Sequence, residues 1–174
     1  MDELLPTVLI PGLAGSPRLY AAQIPALWRF GPVSVAVHSR DATLEAIARR
    51  ILADAPPRFA LAGLSMGGYI AFEILRQAPA RVLRLALLDT SARPDLPEQS
   101  AVRHEQIALA ESGRIGAVLE QQFPRLVHPA RVADERLREL TRLMFEDVGV
   151  AGFVRQQRAI LGRPDSRPTD AKFC

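Results

Sequence analysis

The chain has 174 residues with 48% apolar and 24% charged side chains, a formal net charge of +3 and one cysteine. That length supports one domain with its own core, and one cysteine excludes an internal disulfide. No apolar run nears the roughly 18 residues of a membrane-spanning helix, and the scattered arginines never form a basic run longer than a pair, which argues against nucleic-acid binding.

The first predicted strand is Thr7–Ile10, stopped by Pro11-Gly12, and the second is the alternating run Val33–Val37. A helix follows, with Leu44, Ile47, Ala48, Ile51, Leu52 and Ala55 on one face and Glu45, Arg49, Arg50 and Asp54 on the other, until Pro56-Pro57 ends it. The third strand is Phe59–Ala62. A helical pattern over Tyr69–Ala78 comes next, and the fourth strand, Leu83–Leu88, ends at Asp89. Strands alternating with helices of this length predict an α/β fold, three layers deep, with a mainly parallel sheet of about four strands.

After residue 92 the texture changes. Four amphipathic helices are expected, Gln99–Ser112, Ile115–Phe123, Asp134–Phe145 and Val150–Leu161, punctuated by Gly113, Pro124, Pro129 and Gly149. They predict a helical cap over residues 93–164, covering the carboxyl edge of a core formed by residues 1–92, where open α/β sheets bind ligands. Residues 165–174 form an atypical tail: all but one of the 22 basic residues are arginine, and both the lysine (Lys172) and the cysteine (Cys174) lie there. The acidic start, Met1-Asp2-Glu3, does not read as a secretory signal, so a cytoplasmic location is expected.

The most informative segment is Gly63-Leu64-Ser65-Met66-Gly67, a G-x-S-x-G pattern set between a strand and a helix. A serine at the tip of so sharp a turn needs small neighbours. The turn lifts Ser65 above the sheet as a nucleophile and aims the Met66 N–H at a developing oxyanion. The loop Pro11-Gly12-Leu13-Ala14-Gly15-Ser16 lacks the spacing of a dinucleotide or phosphate loop, and fits better as the partner that supplies the Leu13 N–H as second donor. Gly12, Leu64 and Gln157 are the expected substrate contacts in a mostly hydrophobic acyl site that Leu13 and Met66 also line.

Together the loop, the elbow Gly63-Leu64-Ser65-Met66-Gly67-Gly68, the strand ending Leu87-Leu88-Asp89-Thr90 and the helical cap resemble the α/β-hydrolase fold family over nearly all of residues 5–168. The cap exit Gln156–Asp165 is similar to that of small bacterial members. The resemblance implies a serine hydrolase acting on a small-molecule acyl substrate, an ester, lactone or related compound, with no metal and no organic cofactor. Pro11 stands where many members carry His, which leaves a backbone donor intact. In the family, the catalytic Asp and His follow the cap, and this chain stops at Cys174 before either, which gives an incomplete version of the fold.

A serine at its free pKa needs a base within reach. His38 ends the second strand on the correct edge, while His104 and His128 lie in the cap. Asp89 is a candidate acid, or else a turn residue with Thr90 and Ser91. Three readings follow: a hydrolase whose acid and base are missing from this polypeptide, expected to be weak alone; a non-catalytic ligand-binding protein on the same scaffold; and a compact hydrolase with His38 or a cap histidine as its base. An unpartnered Leu83–Leu88 edge would also favour self-association.

Overall fold

The computed structural model describes residues 4–170, so Lys172 and Cys174 of the atypical tail lie outside it. Four strands, β1 (Thr7–Ile10), β2 (Val33–Val35), β3 (Phe59–Leu64) and β4 (Val82–Leu88), form one parallel sheet in the order β2-β1-β3-β4. β2 is shorter than its sequence suggests. Its only partner is β1, which turns away at Pro11, so pairing ends with the Ala36 N–H on the Leu9 carbonyl (2.8 Å). β3 continues to Leu64 because β4 pairs with it as far as Leu64↔Leu88.

The β1–β2 crossover holds a 3-10 turn at Pro17–Tyr20, the single-turn helix α1 (Ile24–Leu27) and a second 3-10 turn at Trp28–Phe30. The helices α2 (Leu44–Asp54) and α3 (Met66–Gln77) pack together on one sheet face. Register places Val8, Leu61 and Leu85 in one row across that face, with Ile10, Gly63 and Leu87 in another. Val8, Ile10, Phe59 and Leu61 join Ile47, Ile51, Ile70 and Ile74 in the main core. Burial of each such side chain contributes about 1.5–3 kcal/mol. The carbonyls of Leu52, Ala55 and Pro56 at the end of α2 accept from the Arg81 guanidinium at 2.8–2.9 Å, which fastens that helix end to the start of β4.

Three helices cover the carboxyl ends of the strands: α4 (Pro97–Glu111), α5 (Ile115–Leu126) and α6 (Glu135–Leu161). Pro124 does not end α5. Only Arg125 and Leu126 follow it, so the helix loses one hydrogen bond in its final turn. The helices expected at Asp134–Phe145 and Val150–Leu161 are both present and meet at a kink, where Gly149 adopts a non-helical φ of +68° and ψ of 166°; the two together are labelled α6. Ala159 and Ile160, at the end of α6, enter the main core, while Phe145, Phe153 and Val154 join Val118, Leu119 and Phe123 in a second cluster inside the cap.

Beyond α6 the chain returns to the core. The Ser166 N–H donates to the Ala92 carbonyl (2.7 Å), and Arg76 donates to the hydroxyls of Ser166 and Thr169, at the start of the short helix α7 (Arg167–Asp170). The outer strand β4 is exposed: Leu83 and Leu88 each keep 43% of their surface in solvent and Leu85 keeps 37%. No described helix is long and apolar enough to cross a membrane.

Candidate active site

Ser65 stands between β3 and α3 with φ +51° and ψ −112°, a backbone conformation that a side chain adopts only under constraint. The constraints are local. The Ser65 N–H donates to the Leu88 carbonyl (2.9 Å), and the Ser65 carbonyl accepts from the Gly68 N–H (2.9 Å) and the Thr90 hydroxyl (2.7 Å). A Cβ at Gly67 would collide with the Ile10 and Pro11 carbonyls, and one at Gly63 with the backbone of Gly67 and Gly68. The flanking glycines therefore let strand, turn and helix close on one another.

The loop after β1 lies against this turn: a Cβ built on Gly12 would be 3.5 Å from the Ser65 Cβ. Three groups fix its course. The Gly15 N–H donates to the Gly12 carbonyl (3.0 Å). His38 Nε2 also bonds that carbonyl (3.0 Å), and the Ala14 N–H donates to Oε1 of Gln156 (2.9 Å) with Ala14 at φ +57°. Further along, Ser16 Oγ and Arg18 Nε both donate to Asp147 of α6 at 2.7 Å. The Leu13 N–H makes no such bond among the described residues, and Met66, first in α3, has no intrahelical acceptor for its own.

A cavity of about 690 Å³ opens above Ser65. Its floor is Gly12–Gly15, Leu64, Ser65 and Asp89; α6 contributes an apolar wall of Leu137, Leu140, Met144 and Phe145. Polar side chains enter from α4 (Gln99, Arg103 and Gln106) and from α5 (Gln122 and Arg125). Val102 of α4, Leu126 of α5, Leu19 and Val127 add to the apolar lining, so the cavity is mostly apolar, with its polar side chains concentrated on α4 and α5. The Met66 side chain is fully buried in the core, so only its backbone is available to the cavity.

Gln157 is placed differently from its expected role. It is fully buried, accepts from Arg103 Nη1 on Oε1 (3.0 Å) and donates from Nε2 to Gln106 (2.7 Å). The polar contacts with the cavity fall to Arg103 and Gln106, with Gln157 behind them. Arg103 also makes a two-point ion pair with Asp95, whose carboxylate is shared with Arg163 at 2.6 Å, and the Arg163 guanidinium lies 4.2 Å from the Tyr69 ring centroid. Sequence reasoning did not find Asp95, Arg103, Gln106, Gln122 or Gln156. One signal was present: polar side chains at Gln99, Arg103 and Gln106 recur with helical spacing on the face that α4 turns inward.

None of the three histidines lines the cavity. His38 is 3% exposed beneath the loop, and burial lowers its pKa to about 4. His104 is exposed on α4, and His128 is exposed with its Nδ1 accepting from the Ala130 N–H (3.2 Å). Asp89 reaches the floor with φ +41°, while its neighbour Thr90 fastens the elbow. Among the described residues, no three His, Cys, Asp or Glu side chains gather as a metal site would require.

A parallel sheet with a strained serine turn after its third strand, under a helical cap, defines the α/β-hydrolase fold, and this chain has that fold. Solved structures agree. An esterase from Thermogutta terrifontis, determined with malate bound, is 28% identical with a TM-score of 0.80, over 94% of this chain and 66% of its own. An enol-lactonase from Burkholderia xenovorans is 23% identical with a TM-score of 0.82, over 97% and 68%. A carboxylesterase structure from Nitrososphaera gargenis is 21% identical with a TM-score of 0.79, over 99% and 70%. The chain thus spans about two thirds of the length of these structures. No family model and no curated protein sequence matches it.

Proposed function

We propose that this chain carries the acyl-binding half of an α/β-hydrolase-type serine hydrolase, with Ser65 as nucleophile and the N–H groups of Met66 and Leu13 as oxyanion donors. The observation that carries the reading is the strained Ser65 turn on the floor of the 690 Å³ cavity, with the Gly12–Gly15 loop against it. The reaction class is cleavage of an ester, lactone or related acyl bond. Each oxyanion donor is worth about 2.7–4 kcal/mol of barrier. The esterase and enol-lactonase neighbours support this class without specifying a substrate.

A second reading, a ligand-binding protein on the same scaffold, is favoured by one observation: no histidine stands at the cavity to take the serine proton. His38 is poorly suited to do so, since its Nε2 is engaged with the Gly12 carbonyl. One experiment separates the two. The protein is incubated with p-nitrophenyl butyrate, with and without imidazole as an external base, and the Ser65 peptide is analysed by mass spectrometry. The hydrolase reading expects a butyryl group on Ser65, formed faster with imidazole as p-nitrophenolate leaves, and none in Ser65→Ala. An unmodified Ser65 in a protein that still binds the ester supports the binding reading.

A further inference from the structure

The orientation of one buried amide can be worked out from its neighbours. Arg103 has donors only, so the atom of Gln157 that faces its Nη1 must be the carbonyl oxygen. The Gln157 amide nitrogen then points at Gln106 and requires an oxygen there (2.7 Å), and the Gln122 amide donates to the same Gln106 oxygen (3.1 Å). Gln106 is thereby locked with its Oε1 turned inward and its NH2 turned away. No described residue accepts from that NH2, although Gln106 is 93% buried by its 7% exposure and lines the cavity. That NH2 is not sealed off in the core, so it stands open to an acceptor entering the cavity.

The charges around it are positive. Arg103, one turn before Gln106, spends three of its five N–H groups on Asp95 and Gln157. Asp95 must neutralise both Arg103 and Arg163, so the trio keeps one net positive charge, with the side chains of Asp95, Arg103 and Arg163 only 4%, 17% and 6% exposed. Arg125, three residues beyond Gln122 on α5, lines the same cavity. The acidic residues of the lining lie elsewhere: Asp89 is beside Ser65, and Glu98 precedes Gln106 by eight residues, about 12 Å along the helix axis.

We infer that the α4 wall is a carboxylate seat, in which the Gln106 amide and the Arg103 guanidinium receive a second, anionic group of an acyl substrate. The inference rests on the cavity being the substrate site, and names the substrate class: half-esters or carboxylated lactones of dicarboxylic acids. The acyl chain lies along the apolar α6 wall, its scissile carbonyl at Ser65 and its free carboxylate at Gln106.

The test is calorimetric binding of monoethyl succinate, with diethyl succinate as its neutral counterpart. The half-ester is expected to bind about tenfold more tightly, the margin of a charge-assisted hydrogen bond. Gln106→Glu keeps an oxygen for Gln157 and Gln122 while replacing the NH2 with a second oxygen. It should abolish the preference for the half-ester over the diester, and an unchanged circular-dichroism spectrum with a cooperative melt shows that the fold persists. Equal binding of both esters by the unaltered protein, or an unchanged preference in Gln106→Glu, overturns the seat. Acylation of Ser65 reports separately: a preference without acylation leaves the seat in a binding protein, and acylation without a preference removes the seat alone.

Discussion

Burial holds His38 at a pKa of about 4, against an ordinary value of 6.5, and its Nε2 is committed to the Gly12 carbonyl. At neutral pH the ring is therefore uncharged, with Nε2 as the donor to that carbonyl, and it acts as a brace beneath the loop that presents the Leu13 N–H. The consequence for stability has a definite sign. The unfolded chain takes up a proton near pH 6.5 and the folded chain only near 4, so the contribution is complete above 6.5 and is lost as pH falls toward 4. The full swing is on the order of 3 kcal/mol. Urea midpoints measured from pH 7 down to pH 4 should fall steeply in the parent, and less steeply across that window in His38→Gln, where only carboxylate titration remains. Parallel slopes would mean that His38 is protonated in the folded protein.

At the scale of elements, the bend in α6 is set by one residue. Gly149 has φ +68° and ψ 166°, and a Cβ there would meet nothing within 4 Å, so replacing it is opposed by backbone strain alone. Gly149→Ala should lower the unfolding free energy by about 1–2 kcal/mol. Gly116, inside α5 with equally open space and no positive φ, makes the contrast: Gly116→Ala should raise it by up to about 1 kcal/mol. Equal effects in chemical denaturation would contradict the conformational account. The strands were legible because apolar runs end at Pro11-Gly12, Gly63 and Asp89, and the elbow because its turn chemistry is local. Gly149 was legible as well: the helical patterns Asp134–Phe145 and Val150–Leu161 leave it between them, and the helix kinks there. The polar side of the cavity was hidden, because Gln157 meets Gln106 and Arg103 across 51 and 54 residues, a pairing that only tertiary packing creates.

For the molecule as a whole, β4 is the outer strand of the sheet among the described residues. Its free edge and the exposed Leu83, Leu85 and Leu88 offer both backbone groups and apolar surface to another chain. Self-association there is expected to increase with concentration and to be reduced by Leu85→Lys, as read by sedimentation velocity; a monomer that persists at high concentration would contradict it.

The ties between the Ala14–Arg18 segment and α6 have a kinetic meaning as well. Ala14 bonds Gln156 across 142 residues, and Ser16 bonds Asp147 across 131. Closing spans that long is entropically slow compared with local helix formation. The loop near the start of the chain is thus held in part by a helix more than a hundred residues later, and is expected to be among the last parts to settle during folding. A protease cut in the cap would disturb a turn more than a hundred residues upstream, so the chemical readiness of the site is a property of the assembled chain.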